Sequence, residues 1–227
     1  MSGLRQALRA VALVSVCAFT LPAATAAEQA ILAGGLAGIA ASPDVRYVAQ
    51  WVAESRDNRN LPYVIVDKKD ARVFVFGPHG RMLGEAPVLL GLARGDHAAP
   101  GVGKLAPSRI PAADRTTPAG RFETEPGINL NGEDVIWMDY DAGLAMHRLR
   151  SDAAQEARLR RLAAREPDAH RVSAGCVVLP VSFYDSIVKP TLAKSRGDRC
   201  GPVGDAKTLP DQRYRDLRRA SGPRSAP

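Results

Sequence analysis

A chain of 227 residues, 45% hydrophobic and 24% charged, can build one domain with a real core plus tails, which excludes an intrinsically disordered protein. Its formal charge of +7 favours anionic partners such as an envelope polymer or a membrane surface.

The N-terminus reads as a targeting segment. Arg5 and Arg9 stand at the front without an acid, VALVSVCAFTLP follows as a short apolar run, and ATAA at 24–27 offers small residues for cleavage. This pattern is that of a secretory signal peptide over 1–27, cut after Ala26 or Ala27. Val16 precedes Cys17 where a lipoprotein signal wants a small residue, which argues against lipidation. Cleavage removes two arginines and no acid, leaving +5. No second apolar run is long enough for a membrane helix, so no stable membrane insertion is expected.

Residues 28–60 form a small-residue leader followed by a helix. Ser42 and Pro43 signal its start, and Val45, Val48, Trp51 and Val52 share a face up to about Ser55. From Tyr63 the period changes. YVIV and ARVFVF flank the polar turn DKKD, and MLGEAPVLLG supplies a third strand, so an antiparallel meander is expected. Residues 93–117 are rich in Gly and Pro without periodicity, and a loop that long in a compact domain is often functional, here as a lid or substrate wall. Strands resume after TTPAG, and DVIWMDYD and GLAMHRL form a hairpin-like pair with His147 near its end.

SDAAQEARLRRLAAREPD reads as a helix capped by Ser151 and ended by Pro167, with Glu156 and Arg160 paired. Its arginines face either solvent or an anionic polymer. SFYDSIV follows as a helix with Ser182 and Asp185 at capping-box spacing and Pro190 as terminator. Residues 195–227 are arginine-rich and polar and read as a mobile tail.

Between the two helices lies RVSAGCVVLP at 171–180. Cys176 there has three readings: a small buried hydrophobe, half of a disulfide with Cys200 in an oxidising compartment, or a nucleophile. A thiol attacks only as thiolate, so a nucleophile needs a base. Of the four histidines, His79 lies in a turn and His97 in the long loop. His147 ends an apolar strand that can hold it rigidly, and His170 lies six residues before the cysteine. Gly175 lets substrate approach the backbone and frees local amides for a developing oxyanion.

The order of YVIVDKKDARVFVF, TTPAGRF, a strand ending in His147 and SAGC at 173–176 resembles the L,D-transpeptidase catalytic-domain (YkuD-like) family over roughly 61–194. The resemblance implies a mainly β fold with flanking helices, a mixed β-sandwich around a cysteine site. It implies acyl transfer on peptidoglycan stem peptides in the cell envelope or periplasm, with no nucleic acid, metal or cofactor. Cys176 would attack the carbonyl between a diamino acid and D-alanine, and His147 would be the base. The Arg148 carbonyl would orient its ring, while Ser173 and the Gly175 and Cys176 amides would shape the turn and oxyanion site. Hydrolysis by the same site, as a carboxypeptidase or endopeptidase, and a non-catalytic wall-binding protein of the same fold are the alternatives. The chain departs from the family pattern at Ala174, where histidine is usual, at Val178, where Asn or Arg is usual, and in its longer gap between His147 and Ser173.

Overall fold

The computed structural model describes Leu36, residues 38–193 and the backbone of 200–204. The expected signal peptide lies outside the described residues, as does the tail beyond 204.

Helix α1 (Pro43–Ser55) starts as its sequence asks. The Ser42 side chain accepts from the Val45 amide at 3.2 Å, and Pro43 takes the first turn, where its missing N–H costs nothing. Arg56 ends it in the left-handed region. Strands β1 (Tyr63–Asp67), β2 (Arg72–Phe76) and β3 (Met82–Pro87) then form the antiparallel meander. Both faces of β2 are buried. Val73 and Val75 enter the main core, whereas Phe74 and Phe76 pack with Val45, Val48 and Val52 of α1. That double burial explains why the run is apolar at every second and every first position.

Among the described residues eight strands, with β10 (Cys200–Gly204) among them, make one mixed sheet in the order β3-β2-β1-β10-β5-β6-β7-β9. Its second half contains β5 (Phe122–Ile128), β6 (Asp134–Asp139), β7 (Leu144–Arg148) and β9 (Val177–Leu179). A separate two-stranded parallel ladder joins β4 (Leu90–Gly91) to β8 (Arg171–Ser173). Val73 and Val75 of β2 share a core with Met146 of β7 and Val177 of β9. Strands so far apart in the order meet only if the sheet bends back over its own apolar face. The fold is therefore mainly β with few helices. No helix among the described residues is long and apolar enough to cross a membrane.

Four local expectations need correction. Helix α2 spans only Gln155–Leu162, because the Asp152 carboxylate accepts from the Ala154 amide and holds the preceding residues in a turn; Ser151 bonds the Gln155 side chain rather than capping. Residues 181–192 form one helical run with a π turn at Tyr184–Val188, and Ser182 lies inside it rather than at its cap. Pro190 does not end that run. It sits in the first turn of its last α-helical piece, where a missing N–H is tolerated. Finally, the tail reading fails for Cys200–Gly204, whose backbone forms β10, parallel to β1 and antiparallel to β5. CGPVG carries no strand signature, so only its two neighbours specify it.

Candidate active site

Strands β7 and β9 pair in parallel, with Met146 opposite Val177 and His147 opposite Val178. Met146 and Val177 are fully buried in the main core. Side chains alternate along a strand, so His147 faces away from that core. Cys176 stands directly before β9, with its sulfur against the backbone at the start of β7, so the two residues belong to neighbouring strands about 4.8 Å apart.

The ring of His147 is oriented by the backbone. Its Nδ1 lies 2.8 Å from the Arg148 carbonyl oxygen. A carbonyl only accepts, so Nδ1 carries the hydrogen and Nε2 keeps a free lone pair. Burial holds the imidazole below its ordinary range; the Arg148 carbonyl opposes this, and the charge of Arg150 reinforces it. Cys176 Sγ donates to the Gly143 carbonyl at 3.6 Å. Burial pushes its thiol up, while the amides of Ala145 and Cys176 itself, together with the Arg150 charge, favour the thiolate. Both shifts favour the neutral form of each group.

The turn that carries Cys176 is built by hydroxyls. Ser173 Oγ accepts from the Gly175 amide at 3.1 Å and donates to the Cys176 carbonyl at 2.7 Å. The Gly175 amide expected at the oxyanion is thus committed to Ser173, and the Cys176 amide remains on the sulfur side. Gly175 adopts φ 136°, and a Cβ there would stand 3.0 Å from the Thr116 carbonyl oxygen. Thr117 of the TTPAG segment donates to the Gly175 carbonyl at 2.7 Å and accepts from the Gly91 amide at 2.8 Å. Gly91 is backed by the 115–117 backbone so closely that a Cβ would fall 2.4 Å from the Arg115 oxygen. Sequence reasoning found TTPAG as a motif but missed its role as a brace.

Loop 93–117 also reaches the thiol side. Its Gly103 packs on the turn after β6, where a Cβ would lie 2.1 Å from the Asp141 oxygen and 2.7 Å from the Gly143 nitrogen. Gly143 is the residue whose carbonyl receives the Cys176 thiol. Across β7 from Cys176, Ala145 pairs with Trp137. Gly127 makes room for that indole, whose Cδ1 would be 2.6 Å from a Cβ there, and Tyr140 meets the ring edge-on with centroids 5.0 Å apart. A glycine inside the β5 strand was the available signal for this close approach.

Two sequence departures acquire physical reasons. Val178 is buried with Leu89, Leu149 and Leu162 under α2, so a polar group at that position would lose its solvation. His170 is not a substitute catalytic histidine. It is buried, with Nδ1 3.0 Å from the Val88 oxygen and Nε2 3.1 Å from the Ala164 oxygen. His79 and His97 are exposed. The Arg148 side chain binds Asp134 and lies over Tyr184, away from the ring its carbonyl orients. Arg158, Arg160 and Arg161 of α2 bond Asp152, Glu156 and the Ala169 carbonyl. Cys176 is a free thiol, which speaks against the disulfide reading. The sequence matches no known family model and no curated protein.

Proposed function

We propose that this chain is an exported cysteine acyltransferase of the cell envelope, acting on peptidoglycan stem peptides through a Cys176 thioester. The observation that carries the reading is the 2.8 Å bond from His147 Nδ1 to the Arg148 carbonyl, which leaves Nε2 unprotonated on the strand that neighbours Cys176. The motif order and the mixed, folded-over sheet support an L,D-transpeptidase-like β-sandwich.

In the first half-reaction, Nε2 takes the thiol proton as sulfur bonds the donor carbonyl carbon, and the π electrons move to oxygen. The Cys176 amide stabilises that oxygen. Collapse breaks the C–N bond, and His147 returns the proton to the departing D-alanine nitrogen. In the second half-reaction an acceptor amine attacks the thioester and yields its proton to His147, which passes it to the leaving sulfur. Water in place of the amine gives carboxypeptidase or endopeptidase hydrolysis from the same intermediate.

Intact-mass measurement after incubation with muropeptides or a carbapenem tests this. An acyl adduct on Cys176 is expected, absent in Cys176→Ala and reduced in His147→Ala. Binding to sacculi without any adduct would replace the enzyme with a wall-binding protein.

A further inference from the structure

Arg150 and Arg158 act on His147 by charge and Arg148 follows it in the chain, and the three differ in what they have left to give. Arg148 gives its guanidinium to Asp134, near Asp185, over the Tyr184 ring. Arg158 holds both oxygens of Asp152. Arg150, three residues past His147 at the exit of β7, bonds only through Nε, to Glu133 Oε2 at 3.0 Å. Glu133 is itself fixed, because its Oε2 accepts from Asn129 Nδ2 at 2.8 Å and its amide donates to Asn129 Oδ1. Among the described residues, neither terminal nitrogen of Arg150 makes a bond. Both side chains stay partly exposed, at 38% and 40%.

We propose that Arg150, aimed by Glu133 and Asn129, is a carboxylate-binding residue beside Cys176 and His147. A guanidinium anchored at Nε presents its two terminal N–H groups as a fork that matches a carboxylate. Arg150 leaves β7 three residues after His147, and its partner Glu133 directly precedes β6, the strand beside β7, which sets the fork at the same end of β7 as the imidazole; its charge bears on His147 and Cys176 as well. A bare Arg150–Glu133 surface pair contributes little to stability, so the anchored fork is read here for what its two open terminal N–H groups can bind. Given the acyl-transfer reading, on which this identification of the ligand rests, the carboxylate belongs to the acyl donor. It is either the terminal carboxylate of the leaving residue or the side-chain carboxylate of the diamino acid.

Alkylation tests the site without any peptide chemistry. Iodoacetate and iodoacetamide differ only in a carboxylate. With either, the thiolate displaces iodide, so an S–C bond forms as C–I breaks and the thiol proton passes to His147. The iodoacetate to iodoacetamide rate ratio, normalised to that of glutathione, is expected about tenfold above one in the native chain, the scale of a charge-assisted hydrogen bond. It should fall to near one in Arg150→Gln and lie between in Arg150→Lys, whose retained charge separates recognition from misfolding. The same ratio in the native chain and Arg150→Gln would overturn the proposal. Thioester formation with tetrapeptide donors then locates the carboxylate. A raised KM with kcat held, on amidating only the leaving residue's terminus or only the diamino side chain, names the group bound. No effect of either amidation overturns the assignment to the donor. A retained alkylation ratio with no thioester from any donor keeps the carboxylate site and removes the acyl-transfer reading.

Discussion

Thr117 Oγ1 and the Gly175 carbonyl oxygen meet at 2.7 Å across 58 residues of chain. The same hydroxyl accepts the Gly91 amide, so one buried side chain ties the long loop, the β4 strand and the Cys176 turn together. Thr117→Val keeps the shape and strands both backbone groups. A loss of roughly 2–4 kcal/mol in denaturant unfolding is expected, and Thr117→Ser should restore most of it. Equal stability of Thr117→Val and the native chain would refute the brace.

Gly91 and Gly175 should fail differently. Alanine at 91 meets backbone at 2.4 Å, and overpacking against atoms that cannot rotate away costs roughly 1–3 kcal/mol or more. Alanine at 175 adds about 1–3 kcal/mol of conformational strain at φ 136°. Gly91→Ala should therefore show mainly in the unfolding midpoint. Gly175→Ala should also change the Cys176 alkylation rate, since the strained residue adjoins the nucleophile.

The neutral forms of His147 and Cys176 set a pH dependence. His147 lies below its ordinary range, so the imidazole stays unprotonated, and competent as a base, to a lower pH than a free histidine. Cys176 lies above its ordinary range, so spontaneous thiolate appears only at a higher pH than for a free cysteine. Adduct formation should then hold its rate below pH 6.5, the free imidazole value. A second rise should begin above pH 9, the free thiol value. Alkylation that tracks a single ordinary thiol titration would show that the two groups do not cooperate.

His147 and His170 separate catalysis from structure. His147→Ala is expected to slow adduct formation by about 10²–10⁴-fold, the usual range for a general base, with a small change in stability. His170→Ala removes a buried ring set between the Val88 and Ala164 carbonyls and should lower the unfolding midpoint while the alkylation rate of the folded protein stays within about twofold. The reverse pattern would exchange their roles.

Local periodicity was enough to read the meander, α1 and the strand bearing His147, because alternation and caps are written in neighbouring residues. The proposed pair, His147 and Cys176, was legible as residue types in order. What holds the pair was not. Ser173 Oγ on the Gly175 amide, Thr117 on Gly175 and Trp137 over Gly127 are all set by contacts distant in sequence or by backbone angle. β10 escaped for the same reason: CGPVG is a strand only because β1 and β5 flank it. The capping box at Ser182 failed because a local spacing rule was satisfied by residues already inside a helix.

Parallel pairing of β7 and β9 has a topological consequence. Parallel neighbours cannot be joined by a tight hairpin, so the chain leaving His147 must travel back to the start of β9 before Cys176 is reached. The register of β7 and β9 sets His147 against Val178, two residues past Cys176, whatever route the connection takes. The crossover through α2 must still bring Leu162 back over Val178 and Leu149, so a change of length between Arg150 and Pro167 is expected to be tolerated only where that contact is kept.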